Sequence, residues 1–195
     1  MVKFLASLFF FSVLLWGCNS DYTPKPRGYY QIELPKKVYQ PFVQGSYPYT
    51  FEYPAYGNIV QDSLFFEEKA ENPYWINIDF PRFNGRVHLS YKDIGQNKFD
   101  SLIRDYYELS YKQHTIKASG IDHKDYRTPN GVSGVITTLK GNAATTFQFY
   151  ATDSTKHWLR GALYFSATPN ADSIRPVNEF LRQDLEHLIE TLRWK

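Results

Sequence analysis

The sequence predicts an α+β domain in which an antiparallel sheet of about six or seven strands is covered by two helices. Two observations predict this class. Several short segments alternate apolar and polar residues with a period of two, which is the pattern of a half-buried strand. Two longer segments repeat apolar residues every three or four positions, so each would have one apolar face that packs on a sheet.

Short apolar segments separated by turn residues predict the strands. Pro54 ends the first of them, because proline cannot donate to a strand ladder. Asn84-Gly85, between the second and the third, is a strong hairpin signal. The last three segments are joined by short polar turns and are expected to form a meander. The predicted strands are residues 49–54, 74–80, 86–91, 131–142, 144–153 and 157–168.

Two segments have helical periodicity. The first covers residues 98–112, with Asn97 as its N-cap. The second covers residues 174–193, with Asp172 or Ser173 as its N-cap. The polar side of this second helix is expected to face solvent, and it carries Arg175, Glu179, Arg182, Asp184, Glu186 and Glu190.

The N-terminus has the layout of a secretory signal peptide over residues 1–17. Lys3 supplies a basic start, an apolar run follows, and small Gly17 precedes Cys18. The run is too short to cross a bilayer, which takes roughly 20 residues. Leu15-Trp16-Gly17-Cys18 resembles the lipobox of bacterial lipoproteins, whose cysteine thiol is acylated before the chain is cut in front of it. The alternative is an ordinary signal peptide with an incidental cysteine.

Lipidation at Cys18 would place the mature protein outside the cytoplasm, held at a membrane by fatty acyl chains such as palmitate. Cys18 is the single cysteine of the chain, so the mature protein would have no disulfide. Asn19 follows it, rather than the aspartate that signals retention in the inner membrane. We therefore expect an outer-membrane lipoprotein that faces the periplasm.

The residues after the cysteine are predicted to be a tether. Residues 18–28 contain Pro24 and Pro26, which favour an extended, polyproline-like course. About ten such residues at about 3.1 Å each would span roughly 30 Å. Residues 29–195 are expected to form a single α+β domain.

The charge balance excludes partners that need a basic or acidic protein. Removing residues 1–17 takes away Lys3 and no acid, which leaves 21 bases against 20 acids. A nearly neutral domain is not steered towards nucleic acid, so none is expected as a partner. The chain is instead rich in aromatic residues, with 16 tyrosines and 15 phenylalanines, which supply amphipathic surface for contacts.

No metal or cofactor is expected. Asp122, His123 and Asp125 are close together in sequence and could contact a cation, but a polar turn explains them equally well. No two histidines have the i, i+4 spacing that a helical metal site needs. The chain has no phosphate-binding loop and no dinucleotide-binding fingerprint.

No catalytic residue is expected either. Asp153, Ser154 and His157 are close in sequence, but so short a hairpin rarely gives the geometry of a triad, and Asp and Ser are common turn residues. Glycan hydrolysis would need two carboxylates held across a cleft. The candidates for such a pair are Glu67-Glu68 and Asp79.

Aromatic residues and arginines remain as candidates for a protein-binding surface, and about two-thirds of them are expected to pack in the core. These residues are Arg27, Tyr29, Tyr30, Trp75, Tyr106, Tyr107, Trp158 and Arg160. The partner contact is predicted at Lys25, Arg27, Tyr29 and Tyr30, which lie in the tether or directly follow it.

Several long stretches resemble the gliding motility lipoprotein GldD family of Bacteroidota. They are DYTPKPRGYYQIELP after Cys18, YWINIDFPRFNGRVHLSYK, WLRGALYFSATPNADS and the terminal LRWK. The resemblance implies an accessory lipoprotein of the gliding machinery, which is linked to type IX secretion, without an assigned catalytic activity. It carries over one functional residue, the lipidated Cys18. At fold level, the order of elements resembles the Mog1/PsbP-like sandwich.

These observations predict a non-enzymatic scaffold that the N-terminal acyl chains hold at a membrane. Its expected partners are other gliding or secretion lipoproteins or ring components. Two alternatives stay open: a protein that binds or processes peptidoglycan or another glycan, and a carrier of a small ligand in an apolar pocket. In the first of these, peptidoglycan would be the partner.

Overall fold

The structure is a computed structural model, and it describes residues 31–61, 64–65, 68–112, 117–167 and 170–195. Its helices are α1 (Phe99–Lys112) and α2 (Ala171–Thr191). Its strands are β1 (Tyr39–Phe42), β2 (Tyr49–Pro54), β3 (Asn58–Gln61), β4 (Leu64–Phe65), β5 (Glu68–Lys69), β6 (Ile76–Phe80), β7 (Gly85–Asp93), β8 (Ala118–Arg127), β9 (Ser133–Gly141), β10 (Thr145–Thr152), β11 (His157–Phe165) and β12 (Arg193–Trp194).

The strands form one large antiparallel sheet and two small ones. The large sheet has seven strands in the order β3-β6-β7-β11-β10-β9-β8. A second sheet has the order β1-β2-β12, and β4 pairs with β5. The predicted α+β class, with an antiparallel sheet and two helices, is confirmed. The separate three-stranded sheet was not predicted.

The β6–β7 hairpin turns where the sequence predicts it. Pro81–Phe83 form a single 3-10 turn, and Asn84 follows with φ 49° and ψ 34°. Asparagine tolerates this left-handed conformation better than most residues. The turn sets the register in which Asp79 pairs with Arg86 and Asn77 with His88.

The main core lies on one face of the seven-stranded sheet, between that sheet, α2 and the three-stranded sheet. Ile78, Val87 and Phe149 of the large sheet meet Phe51 of β2 and Leu185 of α2 there, and all five are buried. On the other face, α1 packs with Leu102 and Tyr106 against Val135, Tyr150 and Trp158. The two helices therefore cover opposite faces of the large sheet.

The start of α2 differs from the prediction. The helix begins at Ala171, and Asn170 is its N-cap, with its side-chain oxygen accepting from the backbone N–H of Ser173. Asp172 and Ser173, the predicted caps, lie inside the first turn. Asn170 fulfils the same role, because asparagine is among the best N-cap residues.

Residues Ile32–Lys195 form one compact unit. The predicted domain limit at residue 29, the signal peptide and the tether lie outside the described residues. Within the described part of the chain, neither helix combines the length and the apolar character needed to cross a bilayer.

Candidate functional site

The residues predicted for lipidation and partner contact lie outside the described residues. These are Cys18, Lys25, Arg27, Tyr29 and Tyr30. The first part of the domain that the structure describes is the segment directly after them, so the site is built from that segment onward. Ile32 and Leu34 in this segment are 39% and 42% exposed.

The segment that begins at Gln31 is held on α2 by the side chain of Lys37. Its Nζ donates to Asp184 Oδ1 at 2.7 Å and to the Phe180 carbonyl at 2.8 Å, both on α2. The same ammonium lies 4.0 Å from the centre of the Phe180 ring, in cation–π geometry. The chain therefore reaches the domain at a residue that contacts α2 in three ways.

Asp184 is a buried carboxylate, with 1% of its surface exposed. Besides Lys37, it accepts hydrogen bonds from Tyr39 Oη at 2.9 Å and from Tyr56 Oη. A buried carboxylate without partners would be costly, and three donors with one positive charge make it tolerable. We call Lys37, Tyr39, Tyr56 and Asp184 the N-terminal clamp.

The tyrosines of the clamp stay protonated around neutral pH. Burial, followed by the hydrogen bond to Asp184 and the charge of its carboxylate, raises the pKa of Tyr39 to about 12. The same causes raise the pKa of Tyr56. Both hydroxyls therefore remain donors to Asp184 under physiological conditions.

A second group of contacts supports the clamp. The His187 ring on α2 stacks on Tyr39 with 3.7 Å between ring centres, and its Nε2 lies 2.7 Å from Glu52 Oε2 on β2. The Glu52 backbone N–H donates to Thr191 Oγ1 at 3.0 Å. These contacts join β1, β2 and α2 around the point where the N-terminal segment attaches.

The sequence-based placement of Asp184 on the solvent side of the second helix is wrong. Asp184 lies three residues after Leu181 and four before Leu188, both buried, so it falls within the apolar stripe of α2. That spacing was the signal in the sequence from which the burial of Asp184 could have been predicted. Its partners Lys37, Tyr39 and Tyr56 are distant in sequence, and no local pattern identifies them.

Asp153 and Ser154 lie in the turn between β10 and β11, and His157 is the first residue of β11. Burial alone would raise the pKa of Asp153, but hydrogen bonds from the backbone amides of His157, Lys156 and Thr155 hold it at about 2. His157 Nδ1 lies 2.8 Å from Tyr91 Oη, so the hydrogen-bond partner of this ring nitrogen is a tyrosine hydroxyl and not the hydroxyl of Ser154. Burial lowers the pKa of His157. Asp153 and His157 thus each have a partner that explains their position.

The candidate cation ligands do not converge. Asp122, His123 and Asp125 lie on strand β8 rather than in the predicted turn, and alternation sends Asp122 to the face opposite to the other two. Asp122 pairs with Lys140 at 2.6 Å, and His123 bonds Tyr111 and Thr137. In the described part of the chain, no three such ligands come together in a way that could hold a metal ion.

Of the carboxylates considered for glycan hydrolysis, the structure describes the side chain of Asp79. Asp79 forms a two-pronged ion pair with Arg86, with N–O distances of 2.6 and 2.7 Å. Glu67 and the side chain of Glu68 lie outside the described residues. Of the aromatic candidates for binding, Trp75, Tyr106 and Trp158 are buried. Tyr107 and Arg160 are half-buried.

One of three comparisons with known proteins, the one with family models, agrees with the resemblance seen in the sequence. Comparison with curated proteins gives no match. Among solved structures, the chain is similar to the solution structure of cyanobacterial PsbP (CyanoP) from Synechocystis, with 10% identity and a TM-score of 0.45. The alignment covers 88% of this chain and 99% of that one. A family model described as gliding motility lipoprotein GldD matches residues 19–194, from the residue after Cys18 to the last strand. The chain belongs to the GldD family of gliding motility lipoproteins.

Proposed function

We propose that this gliding motility lipoprotein is a non-enzymatic scaffold of the gliding machinery and of the type IX secretion machinery linked to it. Acyl chains on Cys18 hold it at the outer membrane, and residues 18–28 space the domain from the lipid. The domain then contacts another lipoprotein or a ring component of the machinery.

The observation that carries the proposal is the N-terminal clamp. A scaffold in a moving machine must transmit force from its anchor to its domain. Any pull on Cys18 passes along the backbone to Lys37, whose ammonium is bonded to buried Asp184 in the long helix α2. Tyr39 and Tyr56 hold the same carboxylate from strand β1 and from the turn after β2. The pull is thus shared among three parts of the domain.

The state of the candidate catalytic groups supports the non-enzymatic part of the proposal. Asp153 is occupied by backbone amides and Asp79 by Arg86. Neither carboxylate is placed to exchange a proton with a substrate, because donors from the domain itself already occupy its oxygens.

The predicted contact residues are followed in sequence by exposed apolar residues of the described domain. Lys25, Arg27, Tyr29 and Tyr30 precede Ile32 and Leu34, which are exposed apolar side chains. Cations and aromatic residues are typical of protein interfaces. We therefore propose Lys25, Arg27, Tyr29 and Tyr30 as the partner contact, between the anchor and the clamp in sequence.

In-cell photo-crosslinking tests this function. A photoreactive amino acid at Tyr30 should give crosslinks to an envelope lipoprotein or a ring component, identified by mass spectrometry. The matched control is the same amino acid at Lys156, an exposed residue in the β10–β11 turn, where no such product is expected. Equal products at both positions, or crosslinks from Tyr30 to peptidoglycan alone, would contradict the proposal.

A further inference from the structure

A groove runs along one side of α2, between the N-terminal half of this helix and strand β9. Its volume is about 330 Å³, at the lower end of the range for small-molecule sites. One wall is formed by residues of α2 that are spaced three or four apart and so share a side of the helix. The other wall is formed by β9, the β9–β10 turn and the start of β10. The residues of the α2 wall are Ala171, Ile174, Arg175, Asn178, Glu179 and Arg182.

Two hydrogen bonds join the walls of this groove. Asn142 Oδ1, in the β9–β10 turn, accepts from the backbone N–H of Ala171 at 2.9 Å. Further along, the hydroxyl of Thr146 on β10 donates to Asn178 Oδ1 on α2. The turn itself depends on Gly141, whose φ of 87° is a conformation that other residues rarely adopt. The groove is therefore formed before any ligand arrives, which lowers the entropic cost of binding.

Part of the groove lining is apolar. Ala143 is buried, and Phe165 and Ile174 are half-buried. Ala144 and Ala167 are exposed and line the same groove. An apolar group that covers these side chains would remove their apolar surface, and its own, from water, which is favourable. The lining thus offers a place for the apolar body of a small ligand.

Each wall also contributes a cation, Lys140 from β9 and Arg175 from α2. Their acidic partners, Asp122 and Asp172, are not among the lining residues. The side chains of Lys140 and Arg175 are 63% and 58% exposed, and ion pairs at such exposed positions contribute little stability. An ammonium has three N–H donors and a guanidinium has five, so one carboxylate partner does not saturate either group. Both cations can therefore contact a ligand in the groove.

The charge of the lining indicates the sign of the ligand. Arg182 is a third cation, and among the described lining residues Glu179 is the single acid. The nearest acid to Arg182 is Glu186, at 3.9 Å and outside the lining. The groove is thus positive, although the domain as a whole is nearly neutral. One negative charge on a ligand suits this lining, whereas a second would be repelled by Glu179.

We propose that this groove binds a small amphiphilic carboxylate. Its apolar body contacts Ala143, Phe165 and Ile174, and its carboxylate lies between Lys140 and Arg175. Arginine suits this role because the planar guanidinium matches the two oxygens of a carboxylate. The volume limits the body to a short chain or a single ring. This binding site goes beyond the scaffold function and does not depend on it.

Saturation-transfer NMR on the protein purified from its own cells and held in lipid nanodiscs tests the proposal, with empty nanodiscs as the blank. The probes are hexanoate, neutral hexanamide, cationic hexylammonium, and acetate, which keeps the carboxylate but lacks most of the apolar body. Hexanoate should bind saturably and at least about tenfold more tightly than each of the other three. No saturable hexanoate binding beyond the blank, or another probe that binds as tightly as hexanoate, would overturn the proposal.

A charge variant locates the head group of the ligand. Arg175→Gln should weaken hexanoate binding by about fivefold or more, since a charged donor is lost. The matched control is Arg104→Gln on α1, which should bind hexanoate as the parent protein does. Arg104 is also exposed and also bonds the residue three positions before it, Ser101, but it does not line the groove. Equal hexanoate affinities of the two variants would contradict the site.

A second variant fills the groove and leaves every charge in place. Ala144→Phe puts a ring into the groove from an exposed position, so the core is not disturbed, and it should abolish saturable hexanoate binding. Ala55→Phe, at an exposed alanine of the β2–β3 turn outside the groove, is its control and should bind hexanoate as the parent protein does. Unchanged binding by Ala144→Phe would show that hexanoate binds elsewhere and would overturn the proposal.

Discussion

Asp184 is a charged residue at a position where the helix geometry requires burial, and its neighbours make that position stable. Lys37 supplies the opposite charge, and Tyr39 and Tyr56 supply two hydroxyl donors. Removing one partner of such a pair leaves the other charge uncompensated, which destabilises a protein more than the pair itself stabilises it.

Lys37→Met should therefore lower the free energy of unfolding by about 2 kcal/mol, less than for a fully enclosed pair because the Lys37 side chain is 24% exposed. Urea unfolding of both proteins measures the difference. Lys36→Met is the matched control, since Lys36 is the exposed neighbour, and it should change stability by less than about 0.5 kcal/mol. Equal effects of the two substitutions would show that the clamp does not stabilise the domain.

The lowered pKa of Asp153 predicts how the free energy of unfolding depends on pH. Its pKa is held at about 2 in the folded protein, below the ordinary value of 3.8. A depressed folded-state pKa adds stability above the unfolded pKa, and this stability is lost as the pH falls through the folded pKa. Asp153→Asn should lower the unfolding free energy by about 1 kcal/mol at pH 7, and the difference should shrink between pH 4 and pH 2. A difference that is the same at pH 7 and pH 2 would contradict this account.

Among the elements, the β6–β7 hairpin was predictable because its signal is local. Asn84-Gly85 favours a tight turn, and the residues on either side of it alternate between apolar and polar. Strand β8 was not predicted, since Asp122, His123, Lys124 and Asp125 give it a solvated, charged character. It lies at the edge of the large sheet, where charged side chains protect a strand from unwanted pairing. A strand of this kind lacks the alternation by which strands are recognised.

The three-stranded sheet could not be predicted for a different reason. β12 pairs with β2 through Arg193 and Thr50, which lie at opposite ends of the domain sequence. A two-residue strand has no periodicity, and only the packing of the whole chain brings it to its partner. The N-terminal clamp escaped prediction in the same way, because Lys37 and Asp184 are just as distant in sequence.

Helix α2 offers a test at the scale of an element. Asn170→Ala removes the side-chain oxygen that accepts from the Ser173 backbone N–H at 3.3 Å. It should destabilise the domain by about 1 kcal/mol, the typical effect of losing an N-cap. Asn170→Asp keeps the acceptor and should stay within about 0.5 kcal/mol of the parent. Thermal unfolding followed by circular dichroism compares the parent protein with both variants. If Asn170→Ala were as stable as Asn170→Asp, the Asn170 side chain would not be the cap.

For the molecule as a whole, anchor, tether and domain are expected to work together. In gliding cells, Cys18→Ala should release the protein from the membrane fraction and abolish or strongly reduce gliding, although the domain still folds. Cell fractionation with an antibody and motility on agar measure the two effects. Normal gliding with a soluble Cys18→Ala protein would contradict the tether.

The most direct test of the central claim is the intact mass of the protein purified from the membranes of its own cells. A lipid-anchored scaffold predicts a chain that begins at Cys18 and carries the added mass of a diacylglycerol group, with or without a further acyl chain. A mass that corresponds to an unmodified Cys18, or to a chain cut elsewhere, would show that this protein is not held at the membrane in the proposed way.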